Sequence, residues 1–482
     1  MKKIGLFIGP FILLMVLISP PPFQLSREAW NVIGLAAIML IWWVTEAVPI
    51  AVTSLLPIVL LPAMQIYGIK TAAAPYASPI VFLFMGGFML ALAMERWNLH
   101  RRIALNIVRI TGTNANGIIL GFMLATAFLS MWISNTATTV MMLPIAVSVI
   151  DLLIPNDKNN NQNIGTKAFA VSLMIGIAYA ANIGGTATLV GTPPNVVFAG
   201  FLERSYDIKV DFANWMLMAF PFALLLLLIT YFMLTKILFA NHLGKFAGAS
   251  DLIQKKVEQL GNLGRSEAKV LVVFILTALA WITKKQINHG LGLIKANGDI
   301  ELTDHMIAIF ATLALFIIPS DGKKDRALLE WKDTERLPWG ILLLFGGGLS
   351  LADSLKHVGL IDLIGAQFSG LSVSGFIIIL GLTAVSLFLT EVMSNVALVT
   401  VFLPVVAAVA IGMDINLLYL CIPVTLAASC AFMLPMSTPP NAIVFASGKI
   451  QIKDMVKAGL VLNIIAIILI AIWSNWILPM VF

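Results

Sequence analysis

Four short polar motifs interrupt stretches of the chain that are otherwise apolar. Two of them are Ser134-Asn135-Thr136 and Ser394-Asn395-Val396, and the other two read Gly-Thr-Pro-Pro-Asn at 191–195 and Ser-Thr-Pro-Pro-Asn at 437–441. They supply hydroxyls, side-chain amides and the backbone groups that proline frees where it interrupts a helix. Carbonyl and hydroxyl oxygens suit Na⁺, whereas helix N-termini and amide or hydroxyl donors suit carboxylate oxygens. The motifs therefore have the groups to bind a cation and an anion side by side.

The stretches that carry these motifs contain no fixed positive charge. Neither lysine nor arginine occurs within 117–150, 168–202, 373–410 or 415–447. An anion brought into a low-dielectric site without a partner charge would be prohibitively destabilised. Bound sodium ions would offset that charge, and this requirement predicts that anion and Na⁺ bind together.

The composition predicts an all-α membrane protein. The chain has 482 residues, of which 60% are hydrophobic and 11% are charged, against about 25% charged residues in soluble domains. Apolar blocks such as 270–282 and 461–472 approach the length of a spanning helix when their flanks are included. They lack the short-period alternation of a transmembrane barrel. The net charge is +6, and the lysine and arginine residues cluster in particular loops, as residues that set membrane topology do. The positive charge therefore does not indicate a protein that binds nucleic acid.

Two of the four stretches are too long for one span and are predicted to be re-entrant hairpins. As a straight helix, 117–150 would extend about 51 Å, against a hydrocarbon core of about 30 Å. We expect it to turn at Ser134-Asn135-Thr136 and leave on the side it entered, and 373–410 to do the same. Two ordinary spans joined by a polar turn are the alternative, with arms below the usual length. Glycine and proline should break 168–202, at Gly184-Gly185 and beyond, and also 415–447.

The motifs recur in the same order in the two halves of the chain, which indicates a duplication. The last match has a slightly shorter offset than the other three, which fits a polar insertion around 156–166 in the first half. The matching pairs are Gly86-Gly87 with Gly346-Gly347, Ser134-Asn135 with Ser394-Asn395, Leu143-Pro144 with Leu403-Pro404, and 191–195 with 437–441.

Lysine and arginine in the loops predict a cytoplasmic N-terminus and two halves of opposite orientation. The scheme needs about eleven transmembrane helices besides the two hairpins, in an inner membrane. Lys2 and Lys3 favour an uncleaved first helix, with a signal peptide as the alternative. Inverted repeats with broken helices at mid-membrane are typical of secondary transporters. The expected parts are N-terminal scaffold helices in 1–76, a first repeat in 77–238, linker and scaffold helices in 239–338, and a second repeat in 339–482 that ends with the last helix.

At these motifs the chain resembles the divalent anion/sodium symporter family, whose members carry di- and tricarboxylates or sulfate. The resemblance covers nearly the whole chain, including 43–49 and Thr390-Glu391. It implies a homodimer that works by an elevator motion, with Na⁺ as the coupling ion and no other cofactor. For substrate, it implies contacts with Ser134, Asn135, Thr136, Thr192, Ser394, Asn395, Val396 and Pro439. For Na⁺, it implies a first site at Ser130, Ser134, Asn135 and Gly191, and a second at Thr390, Met393, Asn395 and Ser437.

These features predict a sodium-coupled symporter of C4-dicarboxylates such as succinate, malate or fumarate. The alternatives on the same fold are a sodium-independent dicarboxylate exchanger and a citrate or sulfate symporter. Val396 stands where some dicarboxylate carriers of the family have threonine, so the preferred substrate stays open. Glu391 is the only charged residue of the second hairpin, and we expect it to be structural rather than an ion ligand. An enzyme is not expected, because no histidine lies in the four stretches. A channel is not expected either, because no filter loop or ring of lining charge is evident.

Overall fold

The computed structural model describes residues 2–23, 25–112, 114–153, 164–241, 243, 247–292, 301–321, 326–370 and 373–482. Within these ranges the regular secondary structure is helical. The polar insertion predicted around 156–166 lies outside the described residues up to position 163.

The first half of the chain contains helices of very different lengths. The shorter ones come in consecutive groups, so that α3 with α4 and α5 with α6 cover single apolar stretches of the sequence. In chain order the helices are α1 (Lys2–Ile18), α2 (Arg27–Thr45), α3 (Ile50–Thr53), α4 (Leu56–Ala63), α5 (Ile69–Ala73), α6 (Pro79–Arg96), α7 (Leu99–Ile110), α8 (Ala115–Ser130), α9 (Asn135–Leu153), α10 (Ile164–Thr186), α11 (Pro193–Tyr206) and α12 (Phe212–Phe232).

The second half repeats the pattern of the first from α6 onward. In each half, a hairpin of two helices comes first. It is followed by a helix that is broken at Pro-Pro and then by a long apolar helix. The helices are α13 (Ala247–Gln259), α14 (Arg265–Ile282), α15 (Lys284–Gly290), α16 (Asp304–Ile317), α17 (Trp339–His357), α18 (Leu360–Phe368), α19 (Gly375–Thr390), α20 (Asn395–Gly412), α21 (Leu417–Ala428), α22 (Pro439–Ala446), α23 (Ile452–Trp476) and α24 (Leu478–Val481).

The predicted number of transmembrane helices can be compared with the helical segments that are able to span a membrane. Among the described residues, seven helical segments are long and apolar enough to cross a membrane, and two of these are the hairpin arms α9 and α20. The number rises to nine if the bent pairs α14–α15 and α17–α18 each count as one span. Shorter apolar helices of this part of the chain include α16 and α21 and the other two hairpin arms, α8 and α19. The count of eleven itself stays a prediction.

The breaks of the two hairpins lie where the sequence placed them, to within a few residues. In the first, α8 ends at Ser130 and α9 begins at Asn135, so the turn consists of Met131–Ser134. In the second, α19 ends at Thr390 and α20 begins at Asn395. Ser134 is the last residue of the first turn and caps the N-terminus of α9, because its hydroxyl accepts a hydrogen bond from the Ala137 backbone N–H at 3.2 Å.

The expectation that Gly184 and Gly185 break their helix was wrong. Both remain within α10, which ends at Thr186, and the break comes at 187–192. Their role is close packing. A Cβ on Gly184 would collide with the Ala127 backbone of α8, and one on Gly185 would lie 2.6 Å from Asn135 Oδ1. The two glycines thus let the first hairpin lie directly against α10.

Candidate functional site

A cavity of about 1030 Å³ lies where the two hairpin turns meet the two broken helices. Its other wall comes from α2, α3, α6 and α17, through residues such as Trp43, Phe84 and Leu344. Among the described residues that line it, only Lys2 and Glu46 carry a charge, and both are well exposed. Their Nζ and Oε2 atoms lie 3.5 Å apart, so these two charges sit together on the exposed part of the lining. The wall formed by the hairpins and broken helices is uncharged.

Most of the residues predicted from the sequence lie on the wall of this one cavity, from both halves of the chain. Two exceptions, Ser130 and Thr390, are fully buried and lie one layer behind the wall. The predicted residues that line the cavity are Ser134, Asn135, Thr136, Gly191, Thr192, Met393, Ser394, Asn395, Val396, Ser437 and Pro439.

In the first half, a buried hydroxyl holds the asparagine of the motif. Ser130 Oγ lies 2.6 Å from Asn135 Oδ1 and 2.8 Å from the carbonyl oxygen of Ala181 on α10. A hydroxyl has one proton, so it can donate to only one of these two acceptors. The cluster therefore has an excess of oxygen lone pairs beside the cavity wall.

The second half reproduces this arrangement with the equivalent residues. Thr390 Oγ1 lies 2.8 Å from Asn395 Oδ1 and 2.8 Å from the carbonyl oxygen of Ala428 on α21. The same three groups therefore meet in each repeat: a hydroxyl from the end of one hairpin arm, the amide at the start of the other arm, and a carbonyl from the broken helix.

Four helix N-termini lie at the cavity, but they differ in what they offer an anion. Helices α11 and α22 begin with Pro-Pro, whose nitrogens carry no hydrogen. Helices α9 and α20 begin with Asn135 and Asn395. Among the described residues, no acceptor takes the backbone N–H of Asn135, Thr136, Asn395 or Val396. The hairpin helices thus present free donors at the positive ends of their dipoles.

Glu391 is buried beside the second hairpin turn and binds backbone rather than the cavity. Its Oε1 accepts from the N–H groups of Phe432 and Met433 at 2.8 and 2.9 Å, and its Oε2 accepts from Leu434 N–H at 3.2 Å. The side-chain amide of Asn463 on α23 donates to Oε1 at 2.7 Å. The carboxylate therefore holds the non-helical segment between α21 and α22 in place. The first half has Met131 at the equivalent position.

Three asparagines hold the broken helices through side-chain hydrogen bonds that the sequence motifs do not reveal. The Asn195 amide donates to backbone carbonyls before α11, the closest being Thr188 O at 2.8 Å, and the Asn441 amide does the same before α22. Asn182 lies on α10 and donates to Ala431 O and Thr438 Oγ1 of the second half. An isolated polar side chain in a membrane-spanning stretch often indicates function, and by this criterion Asn182 could have been identified from the sequence.

The whole chain matches a known family of membrane proteins. Residues 1–482 match the model described as the sodium:sulfate symporter transmembrane region. A sodium-dependent dicarboxylate transporter from Staphylococcus saprophyticus is 39% identical over 480 residues, which cover 99% of this chain and 92% of that protein. Another sodium-dependent dicarboxylate transporter, from Staphylococcus aureus, is 41% identical over 482 residues, covering 100% and 92%.

Solved structures of two transporters share the fold at low sequence identity. The YdaH transporter of Alcanivorax borkumensis aligns with a TM-score of 0.61 at 13% identity, covering 94% of this chain and 99% of that one. MtrF of Neisseria gonorrhoeae aligns with a TM-score of 0.52 at 12% identity, covering 98% and 97%. The predictions of an all-helical, multi-pass membrane protein and of a transporter rather than an enzyme are confirmed. The chain belongs to the sodium:sulfate symporter family, the divalent anion/sodium symporters that its paired motifs resemble.

Proposed function

We propose that the chain is a secondary active transporter that couples Na⁺ to the uptake of C4-dicarboxylates of the succinate, malate and fumarate class. The proposal is supported by relatives named sodium-dependent dicarboxylate transporters, which are 39% and 41% identical over 99% and 100% of this chain. Transport would move the site across the membrane by an elevator motion. The N-terminus would face the cytoplasm, and two copies would form a homodimer.

The observation that carries the proposal is the paired oxygen cluster at one uncharged cavity wall. Each repeat contributes a hydroxyl, an asparagine amide and a carbonyl whose lone pairs exceed the available protons. A small cation satisfies such a cluster, and a dianion beside it can use the free N–H groups of α9 and α20. The two ligands then neutralise each other where the protein supplies no charge.

In this proposal, each site residue binds Na⁺, the dicarboxylate or both. Some serve both, since an amide can offer its oxygen to Na⁺ and its NH₂ group to a carboxylate. The first sodium site consists of Ser130, Ser134, Asn135 and the Gly191 carbonyl, and the second of Thr390, Met393, Asn395 and Ser437. The substrate contacts Ser134, Asn135, Thr136, Thr192, Ser394, Asn395, Val396 and Pro439.

Uptake of labelled succinate into proteoliposomes tests the proposal. We expect accumulation above the external concentration under an inward Na⁺ gradient, and none when choline replaces Na⁺. Uptake that needs internal dicarboxylate but no Na⁺ would instead identify an exchanger. Competition by unlabelled citrate and sulfate, at the same Na⁺ concentration, separates the dicarboxylate carrier from the other two symporters.

Val396 is expected to influence which dicarboxylate is preferred. It lines the cavity at the position equivalent to Thr136 of the first repeat. Val396→Thr adds a hydroxyl donor there, so we expect the ratio of malate to succinate uptake to change about fivefold, as one hydrogen bond contributes about 1 kcal/mol. Val140→Thr on the exposed face of α9 is the matched control. Unchanged ratios among succinate, malate and citrate would remove Val396 from the set of substrate contacts.

A further inference from the structure

Asn182 donates side-chain hydrogen bonds from the first broken helix to the second. It lies on α10, one residue after Ala181, and its side chain is 1% exposed. The amide nitrogen donates to Thr438 Oγ1 at 3.1 Å and to Ala431 O at 3.3 Å. Both acceptors belong to the non-helical segment between α21 and α22, in the other half of the chain.

A single turn of α10 therefore touches the first oxygen cluster and the segment that carries Ser437 of the proposed second sodium site. The Ala181 carbonyl contacts Ser130, which holds Asn135 in the first cluster. The neighbouring Asn182 amide contacts Thr438, which is adjacent to Ser437 and caps α22 by accepting from Asn441 N–H at 3.4 Å. A displacement of α10 on one side thus shifts a backbone anchor on the other.

We infer that Asn182 is a positioning residue that couples sodium binding in the first half to sodium binding in the second. This inference rests on the proposed function and adds to it a route between the two sites. Occupation of the first site orders Ser130 against α10, and α10 then presents the Asn182 amide to Thr438 and Ala431. By linkage, occupation of the second site favours the first to the same extent.

Asn182 also lines the cavity, but its amide nitrogen is directed to partners in the protein. A buried polar side chain in a membrane protein needs partners, but a serine or threonine on α10 would find one in its own helix. Asn182 instead reaches out of its helix and donates to two acceptors in the other repeat. Loss of the amide would leave the Ala431 carbonyl and the Thr438 hydroxyl without this donor.

Sodium titrations of the purified full-length protein in proteoliposomes test the inference. For Asn182→Ala, we expect the Hill coefficient for Na⁺ in succinate uptake to fall to about 1 and half-saturating Na⁺ to rise about tenfold. Thermal stabilisation by NaCl, compared with choline chloride and without substrate, should lose its sigmoidal dependence as well. Asn106→Ala is the matched control, because among the described residues that amide donates to a carbonyl of its own helix, Arg102 O, and not to the other repeat.

The acceptor side of the bond gives a second, independent test. Thr438→Val should reproduce the Asn182→Ala titration, whereas Thr438→Ser should keep the parent's cooperativity. The double variant should be no worse than the more severe single one, since both remove the same contact. Should Asn182→Ala fail to fold, the two Thr438 variants decide the question.

The outcomes separate this inference from the function on which it rests. Sigmoidal Na⁺ dependence in the parent together with unchanged cooperativity in Asn182→Ala, or in Thr438→Val, overturns the role of Asn182 alone. A parent whose uptake does not depend on Na⁺ overturns the proposed function itself. Loss of cooperativity in Asn106→Ala as well would show a general effect of amide removal and would also refute the inference.

Discussion

Replacing Asn135 or Asn395 with alanine is expected to reduce sodium-driven succinate uptake about a hundredfold. Each amide lies on the cavity wall and is held by a buried hydroxyl, Ser130 or Thr390. In the proposed site, each serves both a sodium ion and the anion. The loss of a charge-assisted contact costs about 1.5–3 kcal/mol, and every 1.4 kcal/mol corresponds to tenfold in affinity.

The two variants are informative because one substitution should alter two binding constants. Half-saturating Na⁺ and half-saturating succinate should both rise in Asn135→Ala, and likewise in Asn395→Ala, as measured by initial uptake rates over a grid of both ligands. Asn106→Ala should leave both values at the level of the parent. If either cavity variant changed the succinate value but kept the Na⁺ value, its amide would not be a shared ligand.

Removal of the Glu391 carboxylate is expected to destabilise the protein by at least about 3 kcal/mol. Glu391→Ala leaves three backbone N–H groups, those of Phe432, Met433 and Leu434, without their buried acceptor. Each such loss costs about 1–3 kcal/mol. The segment that carries Ser437 would then lose one of its anchors, so we expect a lower Tm and no sodium-dependent uptake.

Glu391→Gln provides the finer comparison for the same position. Glutamine keeps the size and one acceptor oxygen, but its NH₂ group would face an N–H donor where the second carboxylate oxygen now accepts. Its Tm should lie between those of the parent and Glu391→Ala, in thermal unfolding followed in detergent. Glu258→Gln, at an exposed helical position, is the control. A Tm of Glu391→Ala equal to that of the parent would contradict a structural role.

The general architecture could be predicted from the sequence because a membrane imposes length and composition on every span. The two hairpins and the two broken helices follow from stretches too long or too rich in proline to be single helices. Their duplication brought the motifs of both halves together on one cavity wall. These inferences depend on local pattern and on repetition, both of which can be read directly in a single sequence.

The details of the breaks could not be predicted, because hydropathy does not show where backbone packs against backbone. The first hairpin turn includes Met131, Trp132 and Ile133, which are apolar, so nothing in their chemistry marks them as non-helical. Conversely, Gly184 and Gly185 suggested a break but serve a close helix contact. Only the relative position of α8 and α10, which is a tertiary property, distinguishes these cases.

The partners of Asn182 and Glu391 were also beyond sequence reasoning. Glu391 was expected to be structural, and this is supported by its backbone contacts. Its acceptor role depends on a segment about forty residues later in the chain. Asn182 pairs with the opposite repeat across a still larger separation. Without coordinates, neither partner can be chosen among the many groups of a folded membrane domain.

The contrast between Met131 and Glu391 means that the duplicated halves are no longer interchangeable. A chain in which a copy of the first hairpin replaced the second would keep both asparagines and both hydroxyl anchors. It would nevertheless lack the acid that three peptide groups of the later half rely upon, and its later segment would lose one of its anchors. The two hairpin turns have thus specialised, because the second depends on a buried acid where the first has an apolar methionine.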